Sequence, residues 1–179
     1  DLTGAGVMEL GLLEPLLPEL AIAGRLEMEM SVRGTPALPD LDGTVRLVNG
    51  SAAWEGFNLD DLDVEARATG GSLILSSAGG RFNDGTVELG GAVSIHAVPG
   101  RIEFSLKEAQ LDGLMAKVAP VGFPVRLDVG GVIEMIGLDP SSIRGSGRVG
   151  ARADVGGEEF RVTPCQWEWR EGELALSPL

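Results

Sequence analysis

Tyrosine is absent from this chain, and cysteine and histidine occur once each, as Cys165 and His96. A lone cysteine closes no internal disulfide, and one cysteine with one histidine builds no metal site. A single histidine also leaves no Ser/His/Asp or Cys/His grouping to order, and the carboxylates are too evenly spread to nominate an acid and a base. No enzyme, cofactor or metal is expected. Long apolar runs are missing too: no stretch approaches the ~18 consecutive apolar residues of a membrane-spanning helix. The nearest, Gly11 to Gly24, is broken by Glu14, Pro15, Pro18 and Glu19. Basic residues are few, 14 against 27 acidic ones, for a net charge of -13. That balance repels a phosphate backbone and gives no attraction to an anionic membrane surface. Nucleic acid is excluded as a partner, and any dealings with lipid must rest on apolar contact. The chain opens at Asp1 with neither an initiator Met nor a charged-then-apolar leader, so it is expected to be a mature segment or a piece of something longer.

What is abundant is glycine, at 27 of 179 residues, against a usual share of roughly 7%. Apolar residues make up 44% and charged residues 23%, the balance of a folded soluble domain. From Gly24 the apolar Leu26, Met28, Met30 and Val32 alternate with Glu27, Glu29, Ser31 and Arg33 up to Gly34, the period-two signature of a half-buried strand. The same alternation recurs in Val45 and Leu47, in Leu62, Val64, Ala66 and Ala68, in Val87 and Leu89, and in Val93, Ile95 and Ala97. It continues in Ile102, Phe104 and Leu106, in Val125, Leu127 and Val129, in Val149 to Val155, and in Leu174 and Leu176. Turns are expected between these runs at Asn49-Gly50, Gly70-Gly71, Gly79-Gly80, Asp84-Gly85, Gly90-Gly91, Gly130-Gly131 and Gly156-Gly157. So many closely spaced strands predict a mainly β fold, an antiparallel meander with little helix. Only Leu10 to Leu17 and Leu111 to Val118 carry Leu, Met and Ala at spacings that suit one or two helical turns, and each is closed by a proline.

Those two segments mark an internal repeat. Pro18 and Pro120 lie 102 residues apart, Gly34 and Gly137 lie 103 apart, and Gly43 and Gly145 lie 102 apart. The spacing predicts stacked units, each with an edge open to its neighbour. The first runs over 1–110, and the second, truncated, over 111–179 in the same sheet.

The remaining motifs carry little chemistry. Gly145-Ser146-Gly147-Arg148-Val149-Gly150 matches a dinucleotide pattern, but that mechanism needs a helix opening on the last glycine, and strand alternation follows instead. His96 is placed on the polar side of a strand between Ile95 and Ala97. Asp40, Asp42, Asp60, Asp61 and Asp63 lack the spacing of a calcium loop and are read as solvated turn residues. Trp167 and Trp169 share one face of a strand, as core or as amphipathic rim residues, and Trp54 is equally open. Met28 and Met30 flank Glu29 on one strand face, where adaptable thioethers suit either core gaps or varied apolar ligands.

The order of short phrases resembles a known family. Leu16-Leu17-Pro18, Gly24-Arg25-Leu26, Val32-Arg33-Gly34-Thr35-Pro36, Pro39-Asp40-Leu41-Asp42-Gly43-Thr44-Val45, Asn49-Gly50, Phe57 to Leu62 and Gly85-Thr86-Val87-Glu88-Leu89-Gly90-Gly91 follow one another as in TamB and its AsmA-like relatives. The resemblance implies a middle section of a long, curled antiparallel sheet, an open taco-like groove in the periplasm of a diderm bacterium, with an inner-membrane anchor outside this segment. It further implies phospholipid movement toward the outer membrane, and a related role in outer-membrane protein assembly beside a barrel partner. Adjoining segments of the same long chain would continue the sheet. The candidate groove residues are then the inward apolar sets: Leu26, Met28, Met30, Val32, Val45, Leu47, Val64, Val87, Leu89, Val93, Ile95, Ile102, Phe104, Leu106, Val125, Leu127 and Val129. The competing reading is a structural β-sandwich or spacer in which the same residues pack against themselves.

Overall fold

The computed structural model describes residues 2–12, 20–35, 38–54, 57–94, 98–110, 123–136, 142–170 and 172–179. Eleven strands follow in order: β1 (Leu2–Glu9), β2 (Ala21–Thr35), β3 (Leu38–Trp54), β4 (Phe57–Thr69), β5 (Ser72–Phe82) and β6 (Gly85–Ser94), then β7 (Pro99–Gln110), β8 (Val125–Ile136), β9 (Arg144–Val155), β10 (Glu158–Arg170) and β11 (Glu173–Pro178). They form one open, curled sheet in which each strand pairs antiparallel with its neighbours in sequence. β7 pairs with β8, so the sheet passes without a break from the first expected unit to the second. Leu10–Leu12 make a single 3₁₀ turn; the rest of Leu10 to Leu17, all of Leu111 to Val118, and His96, Pro18, Pro120 and Gly137 of the repeat and motif readings lie outside the described residues.

The strands are longer than their apolar runs. β3 is 17 residues and β2 is 15, and several glycine pairs expected to turn the chain lie inside strands. Gly70-Gly71, Asp84-Gly85 and Gly156-Gly157 do mark hairpins. Asn49-Gly50, Gly79-Gly80, Gly90-Gly91 and Gly130-Gly131 do not. Asn49-Gly50 is a bulge: Asn49 adopts φ 51° and the register slips between Leu47 and Gly50. Its N–H is donated to Asp63 Oδ1 on β4 at 2.9 Å. Glu108, at φ 59°, bulges β7 in the same way and donates its N–H to Asp128 Oδ1 on β8 at 2.9 Å. Each bulge adds local twist to that which the strands already carry.

Other glycines let strands draw together. A Cβ on Gly43 would strike the Glu29 carbonyl of β2, and one on Gly147 would strike the Gly130 carbonyl of β8. Val87, Leu89 and Val93, expected in two strands, belong to one, because Gly90-Gly91 continues the ladder between them. Asp40, Asp42, Asp60, Asp61 and Asp63 lie in β3 and β4 and not in turns.

The sheet has no second layer among the described residues, and its burial reflects this. The buried apolar side chains are small, Ala66, Ala68, Ala78 and Ala109, and none of the large ones is fully buried. The chain exposes 11510 Å², where a compact protein of 18.6 kDa exposes about 8,200 Å². Large apolar side chains are therefore left in contact with solvent.

Candidate functional site: the apolar face

In an antiparallel pair, residues directly opposite each other point to the same side of the sheet. Following the registers across the molecule gives one transverse row: Met8, Leu26, Leu47, Val64, Ala78, Leu89, Phe104, Gly131, Gly147, Trp167 and Leu176, one residue from each strand. Every member is apolar or glycine. The neighbouring row holds Gly6, Met28, Val45, Ala66, Leu75, Gly91, Ile102, Ile133, Gly145, Trp169 and Leu174. The bulges shift register by whole residues without reversing which side is apolar.

The seventeen expected residues are thereby placed. Leu26, Met28, Met30 and Val32 on β2, Val45 and Leu47 on β3, and Val64 on β4 share this face with Val87, Leu89 and Val93 on β6. Ile102, Phe104 and Leu106 on β7 and Val125, Leu127 and Val129 on β8 complete it, while Ile95 lies outside the described residues. Met28 is 41% exposed and Met30 half-buried. Missed from the sequence were Leu2 and Met8 on β1 and Leu73, Leu75 and Phe82 on β5. Glycine dilutes the alternation in β1, and the extra residue at Ser76-Ser77 breaks it in β5.

Aromatic side chains cluster on the same face. Trp54 stacks on Phe57 at 5.4 Å between ring centroids, and Phe57 meets Phe82 at 5.8 Å, together forming one rim. Trp167 lies over glycine: it faces Gly131, Gly145 and Gly147, donates Nε1–H to the Gly130 carbonyl at 3.3 Å, and meets Phe104 at 5.8 Å. It is half-buried, whereas Trp169 is exposed, so neither is a core residue.

Every described arginine and lysine falls on the opposite face, interleaved with acids. There Arg152 bridges Glu108 and Asp128, the latter at 2.9 Å. Its guanidinium is held above its ordinary pKa, chiefly by the hydrogen bond to Asp128. Arg161 pairs with Glu159 and holds that carboxyl below the usual carboxylate range. Among the described residues Glu158, beside the β9–β10 turn, is an acid that shares the apolar alternation.

Such a surface offers hydrocarbon contact and almost no hydrogen bonds. The dinucleotide-like glycines sit within β9 with no helix following. Among the described residues no group of His, Cys, Asp or Glu is arranged to hold a metal ion, and no helix is long and apolar enough to cross a membrane. Comparison with known protein families, with curated proteins and with solved structures gives no match.

Proposed function

We propose that this chain is a periplasmic segment of a TamB/AsmA-like bridge protein of a diderm bacterium, and that its apolar face conducts phospholipid acyl chains between inner and outer membranes. The observation that carries this reading is an apolar face continuous over eleven strands and covered by no second layer among the described residues. Isolated exposed apolar residues are ordinary on a protein surface, but a contiguous apolar face marks a binding surface. A peptide lying flat there would leave its own backbone polar groups without partners, whereas an acyl chain has none to satisfy. Each methylene removed from water contributes about 0.8 kcal/mol, and neighbouring positions on the face are chemically alike, so a chain can shift along it without meeting bulk water.

No residue acts as a catalyst in this scheme, and the chain is not an enzyme. Adjoining segments of the same polypeptide continue the sheet, and an anchor in the inner membrane and a barrel partner in the outer membrane belong to the full-length protein. A supporting role in outer-membrane protein assembly fits the same architecture. The order of sequence phrases supports the family, and the composition supports the exclusion of nucleic acid. The test is mass spectrometry of an organic extract of the purified chain. Phospholipid at near-stoichiometric amounts is expected; a lipid-free, folded chain would favour the spacer reading.

A further inference from the structure

We propose that the strand end carrying Arg144 is the headgroup rim: the phosphodiester of a lipid whose chains lie on the apolar face sits beside Arg144, and not at the opposite rim marked by Trp54. This rests on the acyl-chain reading above and adds an orientation to it.

The two rims differ in free charge. At the Trp54 end the described arginines are spoken for: Arg81 pairs with Asp61, Arg126 and Arg152 with Glu108, and Arg161 with Glu159, which leaves Lys107, in the row of Arg81, as a cation without an ion pair among the described residues. Asp60, Asp84, Asp154 and Glu158 lie at the same end without a cation assigned to them. A phosphate there would meet net negative charge.

At the other end a single transverse row on the polar face carries Arg67, Arg101, Glu134 and Arg144, and Arg170 closes β10 beside it. Arg101 is shared between Glu103 and Glu134, and Arg170 pairs with Glu168. Among the described residues Arg144 has no ion pair, and neither has Arg67. Arg144 is also the first residue of β9, so its side chain stands at the strand end, where a long stem can carry the guanidinium around the rim. Arg101, Arg144 and Arg170, with Glu134 and Glu168, surround a hollow of about 290 Å³, so arginines outnumber acids there. A planar guanidinium suits bidentate recognition of a phosphate, and a neutral lipid would gain nothing from it.

The test compares the unaltered chain with Arg144→Gln and with Arg148→Gln. Arg148 is another unpaired arginine on the polar face, but it lies in the strand interior. The probes are a phosphatidylglycerol and a diacylglycerol with identical chains, displacing a fluorescent fatty acyl reporter, with inorganic phosphate as a third arm. Arg144→Gln is expected to weaken phosphatidylglycerol about fivefold, an exposed ion pair's worth, and to leave diacylglycerol unchanged. Arg148→Gln should alter neither. The Arg144 effect should shrink in high salt. Equal weakening of both lipids, no weakening of either, or binding of inorganic phosphate alone at Arg144 would overturn the orientation while leaving the acyl-chain reading standing. Failure of the unaltered chain to bind either lipid would overturn both.

Discussion

β4 and β11 are built on the same alternation and end in opposite circumstances. Ala66 and Ala68, on the apolar side of β4, are 2% and 0% exposed, whereas Leu174 and Leu176, on the same side of β11, are 59% and 62% exposed. The smaller side chains are the covered ones. In the middle of the sheet, curl and two flanking strands bring neighbouring side chains over each alanine; at the β11 edge one flank is missing and nothing folds over. Alternation therefore tells which side a residue takes, and the neighbouring strands decide whether that side is dry.

The strongest way to break this comparison is to place a charge on each side of it. Ala68→Asp buries a carboxylate with no cation on its face, and should cost about 3 kcal/mol or more, a large part of a domain's total stability. Leu176→Asp leaves the carboxylate in water and should change stability by only about 0.5 kcal/mol. Chemical denaturation of the two variants checks this, and equal losses would mean that the β11 edge is covered in solution.

Met28→Glu sits between these extremes, since Met28 is 41% exposed. In an open face the new carboxylate stays hydrated until lipid arrives. A thermal midpoint close to the parent's, together with depleted bound lipid, is expected; a collapsed midpoint would point to a closed sandwich.

The smallest effect concerns the polar face. Arg161 lowers the Glu159 pKa from its ordinary value of 4.5, so the pair adds stability above that value and loses it as pH falls through the lower folded value. Glu159→Gln should therefore be slightly less stable than the parent at neutral pH and equal to it in strong acid. A difference that persists below the titration range would mean that Glu159 contributes through packing.

Much of the face was legible because period-two alternation needs only the order of residues. Met28, Leu47, Phe104 and Leu127 were assignable from their neighbours alone. Three things were not. Asn49-Gly50 and Gly130-Gly131 read locally as turns, because a glycine pair signals backbone freedom without saying whether the chain uses it to reverse or to curve. Leu73 and Leu75 were hidden by the extra residue at Ser76-Ser77, which shifts the apolar parity within one strand. The ion pairs that occupy the arginines of one rim and leave Arg144 free at the other depend on which strands are adjacent, information that no local pattern holds.

All three tryptophans, Trp54, Trp167 and Trp169, lie on the apolar face. Their fluorescence consequently reports what occupies that face, which makes quenching the most direct test. Phosphatidylcholine brominated along its acyl chains, loaded onto the purified chain, should quench them strongly, while the same lipid should protect them from aqueous iodide. Quenching by iodide that is undiminished after loading, with no effect of the brominated lipid, would contradict the claim that acyl chains lie on this sheet.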